Sequence, residues 1–239
     1  MNSLLELVKI VQSQGFGSRR ESAQLIQKGL VKVSGDICKN PKLKYPLADL
    51  EIEVGDVLWT CCQELTILLN KPIGFECSRA PQHYKSVFSL LPTHLQKRAI
   101  QGAGRLDQDT NGLYILSDNG LLLHHLCSPK KQLPKKYLIT LKHAINHEQW
   151  AKISQGVELR SEKGIFKPNS LKKISDKVLE MEILEGKYHQ VKRMWSAAGN
   201  RVESLKRIGI GDFQLSESLA EGDWQRLTEE DLCLMKYQA

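Results

Sequence analysis

The stretch GRLDQDTNGLYILSDNG, residues 104 to 120, decides how the chain is read. Counted from Asp107, the run D-Q-D-T-N-G falls on the calcium-binding EF-hand template and places an acid, Asp118, at the twelfth position. Read instead as a Gly-Arg-Leu-Asp turn running into a strand over Leu113 to Ser117, it presents one carboxylate beside a fixed arginine, Arg105. The calcium reading needs an entering helix, and Gly102 and Gly104 stand where that helix must run. Its last position holds Asp, shorter than the usual Glu, and the sequence has no second loop to pair with it. A dinucleotide-binding loop fits no better, since Asp107 occupies the place of the third glycine after Gly102 and Gly104. The turn reading is the one expected to hold.

Working outward, 239 residues with 41% hydrophobic and 26% charged side chains describe a folded chain large enough to bury a core. Apolar runs such as Leu65 to Leu69 are too short to cross a bilayer, so no membrane association is expected. The opening MNSLLELVKIVQSQ lacks a basic leader, a long apolar stretch and a small-residue cleavage site, and the expected location is the cytoplasm. Cysteines 38, 61, 62, 77, 127 and 233 form no C-x-x-C pair and match no histidine spacing. They are read as free thiols in a reducing compartment, and neither metal nor cofactor is expected. The net charge of +7 is unevenly spread: residues 130 to 210 carry +10 and residues 211 to 239 carry −5. Positive charge therefore concentrates where KKQLPKK, FKPNSLKK and HQVKR lie, as on a surface that meets phosphates.

Residues 3 to 59 read as a small α/β module. Leu4, Leu5, Val8 and Val11 recur at helical spacing, Ser18-Arg19-Arg20-Glu21 is a capping box opening a second helix, and Gly29 closes it. Short strands are predicted at Leu30 to Val33 and Glu51 to Val54, with Ser34-Gly35-Asp36 as a turn. The pattern breaks around Trp59 to Glu64, which predicts a linker and domains at residues 1–60 and 61–239. Beyond it, Leu65 to Asn70, Leu113 to Ser117, Tyr137 to Leu141 and Val178 to Leu184 have strand composition. Asn119 to Cys127, His147 to Gln155 and Gln190 to Ala198 look helical, and Thr228 to Asp231 reads as a helix start. Segregated runs of this kind predict an α+β fold with a mostly antiparallel sheet. The histidine pair His124 and His125 is read as structural.

SRRESAQLIQKGLVKVSGDI resembles the S4 RNA-binding domain, although Ser3-Leu4-Leu5-Glu6 stands where that family opens with Arg-Leu-Asp. The resemblance implies an RNA face comprising Ser18, Arg19, Arg20 and Lys28, with Lys32 after them. GRLDQDTNGLYILSDNG in turn resembles the G-R-L-D-x-x-T-x-G-L-L-L-L-T-x-D-G signature of the RsuA-like pseudouridine synthases. LLNKPIGFECS, KKYLITL and EGKYHQVKRMWSAAGNRV agree with that family in order and spacing. Such enzymes break the bond from ribose C1′ to uracil N1, turn the base and rejoin it through C5, without cofactor or metal. Asp107 matches their essential aspartate, acting as a nucleophile on C1′ or as a base on a ribose proton. Lys192 matches the cation that holds the aspartate ionised, with Arg193 as the neighbouring alternative. Tyr137 matches the tyrosine that stacks on the target base. Arg105 is implied to fill the gap left by a flipped base or to bind backbone phosphate, and Lys135, Lys136 and Arg193 to contact RNA. Asn70, Lys71 and Pro72 are read as pocket wall and Gly74 as its turn. YHQVKRM with FKPNSL upstream resembles the branch acting on small-subunit ribosomal RNA more than the large-subunit branch. The expected partner is that RNA or an assembly intermediate, and the expected state is a monomer. A non-catalytic S4-type assembly factor is the rival from another class.

Overall fold

The computed structural model describes residues 4–238. The chain divides into two compact units, one formed by the chain up to Thr66 with Phe88–Gln101 and Ser117–Asn119, the other by Ile67–Val87, Gly102–Leu116 and Gly120 onward.

In the first unit, Leu4–Glu6 is a strand paired antiparallel with Lys44–Pro46. The helix predicted to include Leu4 and Leu5 starts only at Leu7 and runs to Ser13, with Leu7, Val8, Ile10 and Val11 as its buried stripe. The backbone pairing with Lys44–Pro46 takes precedence over side-chain periodicity at Leu4 and Leu5. The second helix, Arg19–Gln27, starts from the predicted capping box: Ser18 Oγ accepts from Glu21 N at 3.3 Å and Ser18 N donates to Glu21 Oε2 at 2.7 Å. Gly29 follows it at φ +73°, the left-handed turn that glycine adopts without strain. Val31–Val33 and Glu51–Val54 pair antiparallel, flanked by Asp36–Ile37 and Val57–Thr60.

Trp59 belongs to that last strand and is not linker. It sits opposite Ile52, is buried, and donates Nε1 to Gln14 Oε1 at 3.1 Å. Its ring meets His94 edge-on at 4.6 Å, and the buried Arg98 reaches Gln14 Oε1 at 2.9 Å and Asp118 Oδ2 at 2.6 Å. These two side chains explain why Phe88–Gln101 packs with the N-terminal segment rather than with its sequence neighbours.

The second unit is built on one sheet, in the order Ser170–Lys173, Val178–Ile183, Lys135–Leu141, Val202–Ile210, Thr110–Ser117, Thr66–Lys71, Trp224–Arg226. The Lys135–Leu141 strand runs antiparallel to both neighbours. Thr110–Ser117 and Val202–Ile210 run parallel, with Gly112 opposite Arg207. One core cluster packs Ile139, Leu141, Leu179 and Met181 against Trp195 and Met194 of the helix Gln190–Ala197. Another packs Leu113 and Ile115 against Leu122 and Leu126 of the helix Gly120–Cys127.

Gly112 has a φ of +98°, and a Cβ there would lie 2.3 Å from the Arg207 carbonyl oxygen. Gly112→Ala is therefore expected to destabilise the protein by about 3 kcal/mol, from backbone strain plus overpacking against a strand that cannot retreat. Urea midpoints of the two proteins check it.

Candidate active site

Asp107 lies just before the strand Thr110–Ser117, in a turn fastened from beneath by Lys71. Lys71 is completely buried, and its Nζ donates to the carbonyls of Pro72 at 3.0 Å, Asp107 at 3.1 Å and Thr110 at 2.8 Å. Burial pushes its pKa below the ordinary lysine value, against the pull of Cys77 and nearby carboxylates. Gly74 N donates to Gln108 O at 2.7 Å, with Gly74 at φ +79° making the expected turn. Lys71 thus fixes the Asp107 turn rather than forming a wall of the cavity.

The Asp107 carboxylate is held by two groups from the other end of the unit. Lys192 Nζ donates to Oδ2 at 2.9 Å, and His189 Nε2 lies 3.1 Å from Oδ1. The same ammonium reaches Asp109 Oδ1 at 2.5 Å, so two carboxylates share one cation. Burial alone would depress the Lys192 pKa, but the hydrogen bonds to Asp109 and Asp107 outweigh it and hold the value above the ordinary one. Asp109 shows the mirror effect: burial opposes its charge, and Lys192 overrides that and keeps its pKa below the usual aspartate range.

Lys192 sits in the first turn of the helix Gln190–Ala197, whose preceding residue His189 takes the left-handed conformation at φ +49°. His189, turned by that conformation, and Lys192 in the first helical turn converge on one carboxylate. The His189 ring is stacked on Tyr188 at 3.8 Å. Arg193 points elsewhere, as the roughly 100° between adjacent helical residues requires. Its guanidinium donates to Tyr188 O at 3.1 Å and to Arg160 O, with Glu162 at 3.8 Å.

A cavity of about 550 Å³ opens beside Asp107, within the roughly 300–1,000 Å³ of small-ligand pockets. Arg105, Tyr137, His189, Lys135 and Arg207 line it. Tyr137 and Lys135, two apart on one strand, show the same face, while Lys136 is not among the lining residues. Arg105 is exposed, whereas Tyr137 and Arg207 are buried. His189 and Arg207 were missed in the sequence. A histidine at a helix start carries no separate sequence signal. Arg207 enters the site through strand register alone, as the cross-strand partner of Tyr137.

The EF-hand alternative is excluded by shape, because the residues that would wrap an ion form the extended strand Thr110–Ser117. Asp118 is engaged by Leu65 N at 2.7 Å and by Arg98. Among the described residues no cluster of three or more metal-ligating side chains occurs, and no helix is long and apolar enough to cross a membrane. His125 Nε2 lies 3.1 Å from Met235 O, in a structural setting. In the first unit Arg19, Arg20 and Lys28 are exposed, Lys32 is paired with Glu53 at 2.8 Å, and Ser18 serves as the helix cap.

Residues 65–197 match the family model described as RNA pseudouridylate synthase, and residues 7–50 match that of the S4 domain. The ribosomal small subunit pseudouridine synthase A of Haemophilus influenzae is 38% identical over 229 residues, covering 95% of this chain and 98% of that protein. Its Escherichia coli K12 counterpart is 34% identical over 229 residues, covering 95% and 98%. A solved structure described as a pseudouridylate synthase superimposes with a TM-score of 0.68 at 35% identity, covering 97% of this chain and 99% of that one.

Proposed function

Since the chain belongs to the RNA pseudouridylate synthase family and carries an S4 domain, we propose that it isomerises one uridine of small-subunit ribosomal RNA to pseudouridine. The observation that carries this reading is the Asp107 carboxylate, paired with Lys192 at 2.9 Å on the edge of a cavity lined by Tyr137. In this reading Asp107 acts on the ribose as nucleophile or base, Lys192 keeps it anionic, and Tyr137 stacks on the everted uracil. Stacking returns about 1–3 kcal/mol of what the base loses on leaving its helix.

Arg105, exposed at the cavity, meets the RNA backbone or the gap left by the base. Lys135 and Lys136 extend the basic surface, and Arg193 joins them only after releasing its carbonyl partners. Residues 1–60 act as the RNA-holding domain through Arg19, Arg20, Lys28 and Lys32, and residues 61–239 as the catalytic one. The enzyme works as a cytoplasmic monomer without a cofactor, on the RNA or an assembly intermediate. The small-subunit target is supported by relatives named for that subunit and aligned along nearly their whole length.

Mapping pseudouridine in ribosomal RNA from cells with and without the gene tests the proposal. One small-subunit uridine is expected to stay unmodified in the deleted strain. A missing large-subunit modification would reassign the target, and an unchanged map would favour the non-catalytic assembly factor.

A further inference from the structure

The cavity beside Asp107 is lined by two cations, Arg207 buried and Lys135 half-buried, for which no ion-pair partner is found among the described residues. Arg207 is 5% exposed, and among the described residues its side chain makes one hydrogen bond, from Nε to Leu113 O at 2.8 Å. Its Nη2 is buried with no acceptor among the described residues. Buried polar groups are almost always bonded, and a buried charge left unpaired costs more than a neutral group. Lys135 lines the same cavity, and no hydrogen bond or ion pair of its ammonium is found among the described residues. Burial first, then the charge of Arg207, depresses its pKa, and Cys127 and Glu185 oppose that shift without outweighing it. Of the two carboxylates among the lining residues, Glu185 accepts from Gln190 Nε2 at 3.0 Å. Asp107 itself is taken by Lys192 and His189.

The position of the pair is fixed by register. Arg207 is the cross-strand partner of Tyr137 on the neighbouring antiparallel strand, beside a register shift between Lys136 and Tyr137, and both side chains line the cavity. Lys135 precedes Tyr137 by two residues and shares its face. Both cations therefore line the same cavity as Tyr137. We propose that Arg207 and Lys135 stabilise the negative charge that the uracil carries once its bond to ribose is broken.

This rests on the proposed pseudouridine synthase reading and adds to it the fate of the leaving base. When the C1′–N1 bond breaks, its electron pair stays on the base, giving a uracil anion with charge spread over N1 and the carbonyl oxygens. The ribose is compensated by Asp107, through a bond to C1′ or removal of a ribose proton. The base then turns, C5 bonds to C1′, and the Asp107 bond or proton is returned. The C5 proton is lost as N1 gains one, so the product is an isomer of the substrate. Throughout the turn the base is a free anion that must stay in the cavity. Cations at its edge, withdrawn in part from solvent, interact with that charge more strongly than fully exposed ones. They gain most when the charge appears, which lowers the barrier without tightening substrate binding. A phosphate is the other anion such a pair could hold. However, a phosphodiester continues into chain on both sides, which suits the exposed Arg105 at the rim better than a guanidinium buried in the sheet.

The test compares wild type, Arg207→Gln, Arg207→Lys and Lys135→Met on an RNA that the wild type modifies, measuring single-turnover rate at saturating RNA and, separately, the RNA Kd. Loss of one preorganised donor to a developing anion costs about 10²–10³ in rate. Arg207→Gln is expected to lose about 10²-fold, Lys135→Met about 10-fold, and Arg207→Lys to recover part of the loss, with Kd changed less than about twofold. Weakened RNA binding with an unchanged saturated rate would overturn the proposal and reassign the pair to phosphate. Wild-type rates in Lys135→Met, with Arg207→Gln active or unfolded, would overturn it as well. A wild-type protein that modifies no RNA sinks the functional reading itself, whereas an active wild type with unaffected variants sinks this inference alone.

Discussion

Asp107→Asn is expected to abolish pseudouridine formation, with a loss of at least about 10³-fold in single-turnover rate, while RNA affinity stays within about twofold. The substitution keeps the shape of the side chain and its ability to meet Lys192, but an amide neither attacks C1′ nor accepts a ribose proton. Affinity is expected to be preserved because the exposed cations proposed to meet phosphates lie largely elsewhere, in Arg19, Arg20 and Lys28 of the first unit and Arg105 of the second. Removing the Asp107 charge also frees half the demand on Lys192, which retains Asp109 at 2.5 Å, so the fold is expected to melt close to wild type. Product retained in Asp107→Asn would transfer the chemistry to another residue and refute the site.

Lys192→Met is expected to be nearly as damaging, by about 10²-fold or more in rate, for an electrostatic reason. One ammonium serves both Asp107 and Asp109. Without it two carboxylates face each other across the space it filled, and repulsion favours a proton on one of them. His189, 3.1 Å from Asp107, is the remaining neighbour able to compensate, and does so only when protonated. Single-turnover rates of wild type and Lys192→Met on one RNA check it.

Stability follows a separate pH rule. Asp109 has a depressed pKa in the folded protein, so its contribution is present above the ordinary aspartate value and is lost as pH falls through the folded one. The raised Lys192 pKa contributes below the ordinary lysine value and is lost as pH rises through the folded one. The stability difference between wild type and Lys192→Met is therefore expected to be flat across the neutral range and to shrink at both extremes. Denaturant titrations at a series of pH values check it.

Much of this arrangement is readable in the chain because its motifs are local. The Asp107 turn, the capping box at Ser18 and the helix over Gln190–Ala197 are each set by residues within a few positions, where periodicity and capping operate. The choice between Lys192 and Arg193 needed only the angle between adjacent helical residues once one partner was fixed. What escaped depends on contacts between distant segments. Leu4 and Leu5 fit a helical stripe equally well, and only the chain at Lys44–Pro46 makes them a strand. Trp59 looked like a linker residue because its partners, Gln14 and His94, lie 45 and 35 positions away. Arg207 becomes a cavity residue through its register with Tyr137, and Lys71 becomes the anchor of the Asp107 turn through three carbonyls. The parallel pairing of Thr110–Ser117 with Val202–Ile210 left no trace in residue pattern.

That parallel pairing bears on how the protein matures. Asp107 and Lys192 stand 85 positions apart, and the strand that sets Arg207 beside Tyr137 comes later still. Closing so long a loop is entropically costly and slow, and adjacent antiparallel hairpins can zip first. A chain emerging during translation therefore holds no competence until Val202–Ile210 has been synthesised and inserted between two strands already made. Refolding experiments should accordingly show secondary structure recovering ahead of turnover, with the insertion of that one strand as the event that switches the molecule on.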